Sequence, residues 1–111
     1  MNPSWTISQA VQQCVQQYGL QTAFIESTHG LQTCFKEFWQ GVCSLAHQLS
    51  LNGIQRGDRV GFWFYNQLEF AQSFIAITHI GAIAVPLNWR STPPEVKKVV
   101  THAGLKAVLC H

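Results

Sequence analysis

Arg59-Val60-Gly61-Phe62-Trp63-Phe64 carries one charge, at its first residue, and then presents apolar or small side chains on both sides of an extended chain. Such a run belongs in a strand with a layer on each face, because a half-exposed strand would alternate apolar and polar residues. Leu68, Phe70, Ala71, Phe74, Ile75 and Ile77 then fall on helical spacing, with Asn66 and Glu69 as capping residues and Gly81 as the stop. A second apolar run, Ala82-Ile83-Ala84-Val85-Pro86-Leu87, follows at once. Strand, helix and strand in so short a span predict a right-handed crossover between parallel strands.

The pattern extends in both directions. Upstream, Gly57-Asp58 marks a turn, and Phe35, Phe38, Trp39, Val42, Leu45, Ala46 and Leu49 form an unbroken stripe stopped by Asn52-Gly53. Thr22 to Glu26 and Leu31 to Thr33 read as two short strands joined through His29-Gly30 into a hairpin. Ile7, Ala10, Val11, Cys14, Val15 and Tyr18 give the apolar face of a first helix. Thr6 and Gln9 supply its capping box, and Gly19 is expected as a left-handed C-terminal residue. Downstream, Thr92-Pro93-Pro94-Glu95 is a helix start with cap, first-turn proline and N3 glutamate, and Val96, Val99, Val100 and Ala103 supply the apolar face. Gly104 ends that helix, and Leu105 to Cys110 forms a last strand. The predicted class is α/β, with alternating helices and mostly parallel strands after a small amino-terminal β-hairpin.

The 111 residues are 47% hydrophobic and only 11% charged, against about 25% charged in ordinary globular domains. That excludes disorder, limits the chain to one core, and implies that something covers part of its surface. Seven basic and five acidic residues, scattered along the chain, give a net charge of +2. A nucleic-acid arm needs clustered cations, so none is expected. Met1 to Trp5 lacks the cationic and apolar regions of a secretion signal, which makes the cytoplasm the expected compartment. Cys14, Cys34, Cys43 and Cys110 contain no C-x-x-C pair, and Cys34 and Cys43 on one helix stand roughly 13 Å apart at 1.5 Å per residue, beyond disulfide reach. All four are expected as reduced, mostly buried thiols. Phe70 to Leu87 has no formal charge, but Gln72, Ser73, Thr78, His79, Gly81 and Pro86 interrupt it, so no membrane span is expected.

Open parallel sheets bind ligands beyond the carboxyl ends of their strands. The places to search are therefore Tyr65-Asn66, Asn88-Trp89-Arg90 and the residues after His111. Neither G-x-G-x-x-G, nor G-x-x-x-x-G-K-[ST], nor G-x-S-x-G occurs. Glu69 and Glu95 read as helix caps, Asp58 as a turn residue and Glu37 as helix surface, leaving only Glu26 without a local role. His102, Cys110 and His111 are near in sequence but fit no zinc spacing, His79 reads as structural, and His29 and His47 read as surface positions. Asn88-Trp89-Arg90 is the most suggestive polar cluster, although a strand exit with Asn88 bonding its own loop explains it as well. No residue of this chain is assigned a catalytic, cofactor-binding or metal-binding role.

Several short motifs stand in an order that resembles the amino-terminal part of the AMP-forming acyl-CoA synthetases, members of the adenylate-forming superfamily of AMP-dependent synthetases and ligases. They are Gly53-Ile54-Gln55-Arg56-Gly57-Asp58-Arg59-Val60, then Asn66 with Glu69-Phe70, then Gly81-Ala82-Ile83-Ala84-Val85-Pro86-Leu87-Asn88. Thr33 to Phe38, Pro94-Glu95 and Ala103-Gly104-Leu105-Lys106 match the segments on either side, so the likeness covers Ala23 to Cys110. Tyr65 stands where that family usually has proline, and Trp89 where a small residue or proline is common. Asn88 stands where many peptide-synthetase adenylation domains carry aspartate, which tilts the likeness toward acyl- or aryl-CoA synthetases.

The resemblance implies a partial subdomain of a three-layer enzyme whose parent uses ATP, Mg2+ and CoA to activate a fatty or aryl acid. The family's phosphate loop, magnesium acid, ribose aspartate and mobile-domain lysine lie in motifs this sequence does not contain, so the 111 residues are expected to be inactive alone. Residues 1–111 are thus expected as an incomplete amino-terminal part of an AMP-binding domain. Both faces of Val60 to Phe64, and the edge beside Leu105 to Cys110, are expected to lie bare without the remainder of the enzyme, inviting self-association. Two alternatives are a truncated, non-catalytic α/β interaction module and a flavodoxin-like signalling domain, the latter weakened by the lack of an acidic cluster after the first strand.

Overall fold

The computed structural model describes residues 6–27, 30–65 and 67–110. In chain order the elements are α1 (Ile7–Tyr18), β1 (Thr22–Ile25), β2 (Gln32–Cys34), α2 (Phe35–Leu51), β3 (Arg59–Trp63), α3 (Leu68–His79), β4 (Ile83–Pro86), α4 (Pro93–Ala103) and β5 (Ala107–Cys110). β1 and β2 form an antiparallel hairpin with an irregularity between Thr22 and Phe24. The remaining strands form a parallel sheet of order β4-β3-β5. Pro86 therefore sits on an edge strand, where a residue without an N–H is tolerated.

Alternation along β3 divides the molecule into layers. Val60, Phe62 and Phe64 enter the main core with Phe38, Val42, Ala46 and Leu49 of α2 and Ile75, Ala76 and Ile77 of α3. The Phe62 ring meets those of Phe70 and Phe74 edge-on, with centroids 4.7 and 6.3 Å away. On the opposite face a smaller core of Leu87, Val96 and Leu105 gathers Trp63, Val85, Val100, Ala103 and Val108. Each aliphatic side chain buried there contributes about 1.5–3 kcal/mol. The layers are thus α1, α2 and α3, then the sheet, then α4.

This arrangement corrects the expectation of bare faces on β3. Val60 and Phe62 are 0% exposed and Phe64 is buried under α2 and α3, while on the opposite face Gly61 is buried and Trp63 half-buried against the small core that Val96, Val100 and Ala103 of α4 share with Leu87 and Leu105. Gly61 leaves room for Leu87 and Leu105 of that small core to approach the strand. A Cβ at this position would stand 2.9 Å from Leu105 Cδ1 and 3.2 Å from Leu87 Cδ1, inside normal carbon contact. For the edge beside β5, the sheet order shows pairing with β3 alone among the described residues.

Local signals at the helix ends were of unequal quality. Thr6 and Gln9 form the full capping box, with Thr6 Oγ1 accepting from Gln9 N and Gln9 Oε1 accepting from Thr6 N. Thr92 Oγ1 accepts from Glu95 N, and Gly104 closes α4 in the left-handed region at φ 66°. Gly19 differs. It stays right-handed at φ −47°, so that its carbonyl accepts from Lys36 N at 2.9 Å at the start of α2. The cap of α3 is Gln67, one residue later than expected, because its carbonyl takes the first helical bonds from Phe70 N and Ala71 N. Asn66, the expected cap, lies outside the described residues.

Burial also departs from the periodic patterns. Ile7 and Tyr18 of α1 and Val99 of α4 are exposed, whereas Ser8, Ser73 and Ala76 are buried. None of the four cysteines is buried: Cys14 and Cys34 are half-buried, Cys43 and Cys110 are exposed, and all four are free. The stripe on α1 is broader than the surface it meets, and Cys43 and Cys110 lie on element faces that no other described segment covers. Among the described residues no helix is long and apolar enough to cross a membrane.

Candidate functional site

The carboxyl ends of β3 and β4 lie side by side, so the loops leaving them meet. Tyr65, after β3, stacks on Trp89, after β4, with ring centroids 4.7 Å apart and planes inclined by 37°. The Arg90 guanidinium lies 4.8 Å from the Trp89 ring centroid, a cation–π contact. Asn88 orders the turn beneath them: its Oδ1 accepts from Arg90 N at 3.0 Å and its backbone carbonyl accepts from Ser91 N at 2.9 Å. Asn88 therefore bonds its own loop, as the simpler reading of this cluster requires, while Trp89 and Arg90 join an aromatic and cationic group that faces solvent. Tyr65 and Trp89 are 58% and 41% exposed.

A cleft of about 910 Å³ opens beside this group, between the hairpin and the start of α3. Phe24, Ile25 and Leu31 form the hairpin wall, and Tyr65, Leu68 and Phe70 the opposite one. Glu26 and Glu69 also line it. Glu69 occupies the first turn of α3, where the helix dipole favours a carboxylate. The backbone of Glu26 closes the hairpin, its N–H donating to Leu31 O at 2.7 Å and its carbonyl accepting from Gly30 N at 2.8 Å. The participation of the hairpin was missed from sequence. Only the adjacency of β3 and β4 could have foretold the Tyr65–Trp89 contact.

The opposite pole explains the motifs that carried the family resemblance. Asp58 Oδ2 accepts from Gln55 N at 2.6 Å and from Lys106 Nζ at 3.1 Å, and Lys106 Nζ also donates to Gly53 O at 3.1 Å. These bonds, that of the Gln55 N–H first, hold the Asp58 carboxyl below the usual carboxylate range. The backbone continues the lattice, with Ile83 N donating to Asp58 O, Lys106 N to Arg59 O and Gly57 N to Gly81 O. Arg59 Nη1 reaches Ala103 O at 2.8 Å. The amino-terminal edges of all three strands are thus pinned by Gly53 to Arg59, Gly81 and Ala103 to Lys106. This is structural work, at the pole away from the carboxyl ends of the strands.

The other titratable groups also take structural places. His79 Nδ1 bonds Ser8 Oγ, which receives Gln12 Nε2 at 3.2 Å, and the His79 ring meets Trp39 edge-on; this histidine ties α3 to α1. Glu37 accepts from Cys34 Sγ at 3.2 Å. His47 and His102 are exposed. His29 and His111 lie outside the described residues. Among the described residues no three His, Cys, Asp or Glu side chains come close enough to share a metal ion. At the carboxyl edge Arg90 is the cation of the aromatic group, and Glu26 and Glu69 stand on the cleft walls.

The sequence matches the AMP-binding enzyme family over residues 11–111. The mitochondrial medium-chain acyl-CoA ligase ACSF2 of Danio rerio is 32% identical over 107 residues, 96% of this chain and 18% of that protein. The long-chain-fatty-acid–CoA ligase FadD13 of Mycobacterium tuberculosis is 31% identical over 87 residues, 78% of this chain and 17% of that protein. The chain thus spans less than a fifth of the length of these relatives. Among solved structures, the N-terminal domain of FACL13 from Mycobacterium tuberculosis superimposes with a TM-score of 0.85 at 28% identity, over 92% of this chain and 26% of that one. The N-terminal subdomain of NpsA from Klebsiella oxytoca shares the fold, with a TM-score of 0.82 at 22% identity and the same coverage. By its matched residues, its motifs and its parallel β4-β3-β5 sheet, the chain belongs to the AMP-binding enzyme family.

Proposed function

We propose that residues 1–111 are the opening part of an AMP-forming acyl-CoA ligase and serve there as scaffold. In the reaction of the longer enzyme, a carboxylate oxygen of a fatty or aryl acid bonds to the α-phosphorus of ATP as the bond to pyrophosphate breaks. The CoA sulfur then bonds to the acyl carbon, and AMP leaves. The observation that carries this reading is the family match across 11–111 on a chain whose motif residues pin the amino edge of the sheet. ATP, Mg2+ and CoA are bound by the longer ligase, which acts in the cytoplasm; these 111 residues hold none of its catalytic, nucleotide or metal groups and do not turn over alone. Asn88 supports CoA as the acceptor in preference to a peptide-synthetase carrier.

The test is pyrophosphate release from ATP by the protein extended past His111, across a panel of aliphatic and aromatic acids with and without CoA. Acid-dependent release with thioester formation in the presence of CoA supports the proposal; no release with any acid refutes it. A second reading, a non-catalytic module, is favoured by one observation. Among the described residues no strand pairs with the outer edge of β5, and two apolar clefts of about 350 and 320 Å³ run beside it, lined in part by Leu45, Leu109 and Ala107. Sequencing past the codon for His111 separates the two: a continued frame with a Ser/Thr/Gly-rich loop supports the ligase, and a stop supports the module.

A further inference from the structure

No further inference is drawn: the strongest candidate, the apolar groove along the outer edge of β5 between Leu45 and Leu49 of α2 and Ala107 and Leu109 of the sheet, has nothing in the structure to show what covers it.

Discussion

Replacing Gly61 with alanine tests how closely Leu87 and Leu105 pack on the second face of β3. The added Cβ would lie 2.9 Å from Leu105 Cδ1, 3.2 Å from Leu87 Cδ1 and 3.5 Å from Val108 Cγ2. Carbon pairs prefer about 3.5–4.0 Å, so Leu105 must retreat by more than half an ångström, roughly, into a site already filled. Leu105 and Leu87 are 9% and 7% exposed, so neither has open solvent to move into. Overpacking of this kind costs about 1–3 kcal/mol, and the smaller entropy of the unfolded alanine chain offsets about 0.4–1 kcal/mol. The net loss is about 1.3 kcal/mol at mid-range and at most about 2.6 kcal/mol, the mid-range value lowering Tm by roughly 5–10 °C for a domain of this size. Circular dichroism melting of the two proteins reads this directly. Gly61→Ala combined with Leu105→Ala should lose less than the sum of the single losses, since the second change removes the obstructing methyl. An unchanged or raised Tm for Gly61→Ala, or strict additivity in the double variant, would refute the packing of Leu87 and Leu105 against β3 described here.

Three further outcomes follow from the geometry. Because the folded carboxyl of Asp58 titrates below its unfolded value of about 3.9, its contribution is fully present above that value and is lost as pH falls through the lowered one. Urea unfolding of Asp58→Asn should therefore vary less with pH on the acid side than that of the parent, and parallel curves would contradict the assignment. The Tyr65–Trp89 stack should give a coupling of about 0.5 kcal/mol, toward the low end because both rings are exposed, in a double-mutant cycle of Tyr65→Ala and Trp89→Ala; zero coupling would remove the contact. The bare edge of β5 with its flanking clefts should make the chain self-associate as concentration rises in sedimentation velocity, and a monomer at every concentration would contradict that.

The order of elements was legible because it rests on local chemistry. A threonine that receives a backbone N–H three residues on, as at Thr6 and Thr92, states its role within a few residues. So does the stripe from Phe35 to Leu49. What was not legible depends on where distant pieces settle. Gly19 is right-handed because Lys36 needs its carbonyl. Ser73 and Ala76 are buried where α3 packs closely, although neither is a strong apolar marker. The closed second face of β3 escaped notice because nothing in Arg59 to Phe64 says that α4, thirty-odd residues later, returns over it.

The candidate site divides in the same way. The end of the sheet to search followed from parallel strands alone, and Tyr65, Asn88, Trp89 and Arg90 do lie there. Their stacking required knowledge that β3 and β4 are neighbours, and the hairpin wall of the cleft required the tertiary placement of Phe24 and Leu31. The family motifs stand apart from it: residues 53–59 and Gly81, with Lys106, are joined by hydrogen bonds at the far pole.

The proposed function separates the sheet that this chain builds from the phosphoryl chemistry it assigns to the longer protein. ATP–pyrophosphate exchange measured side by side on the 111-residue chain and on the protein extended beyond His111, with the same acids and Mg2+, tests it most directly. Exchange at the reagent blank is expected for the chain and acid-dependent exchange for the extended protein. Acid-dependent exchange by the 111 residues alone would contradict it.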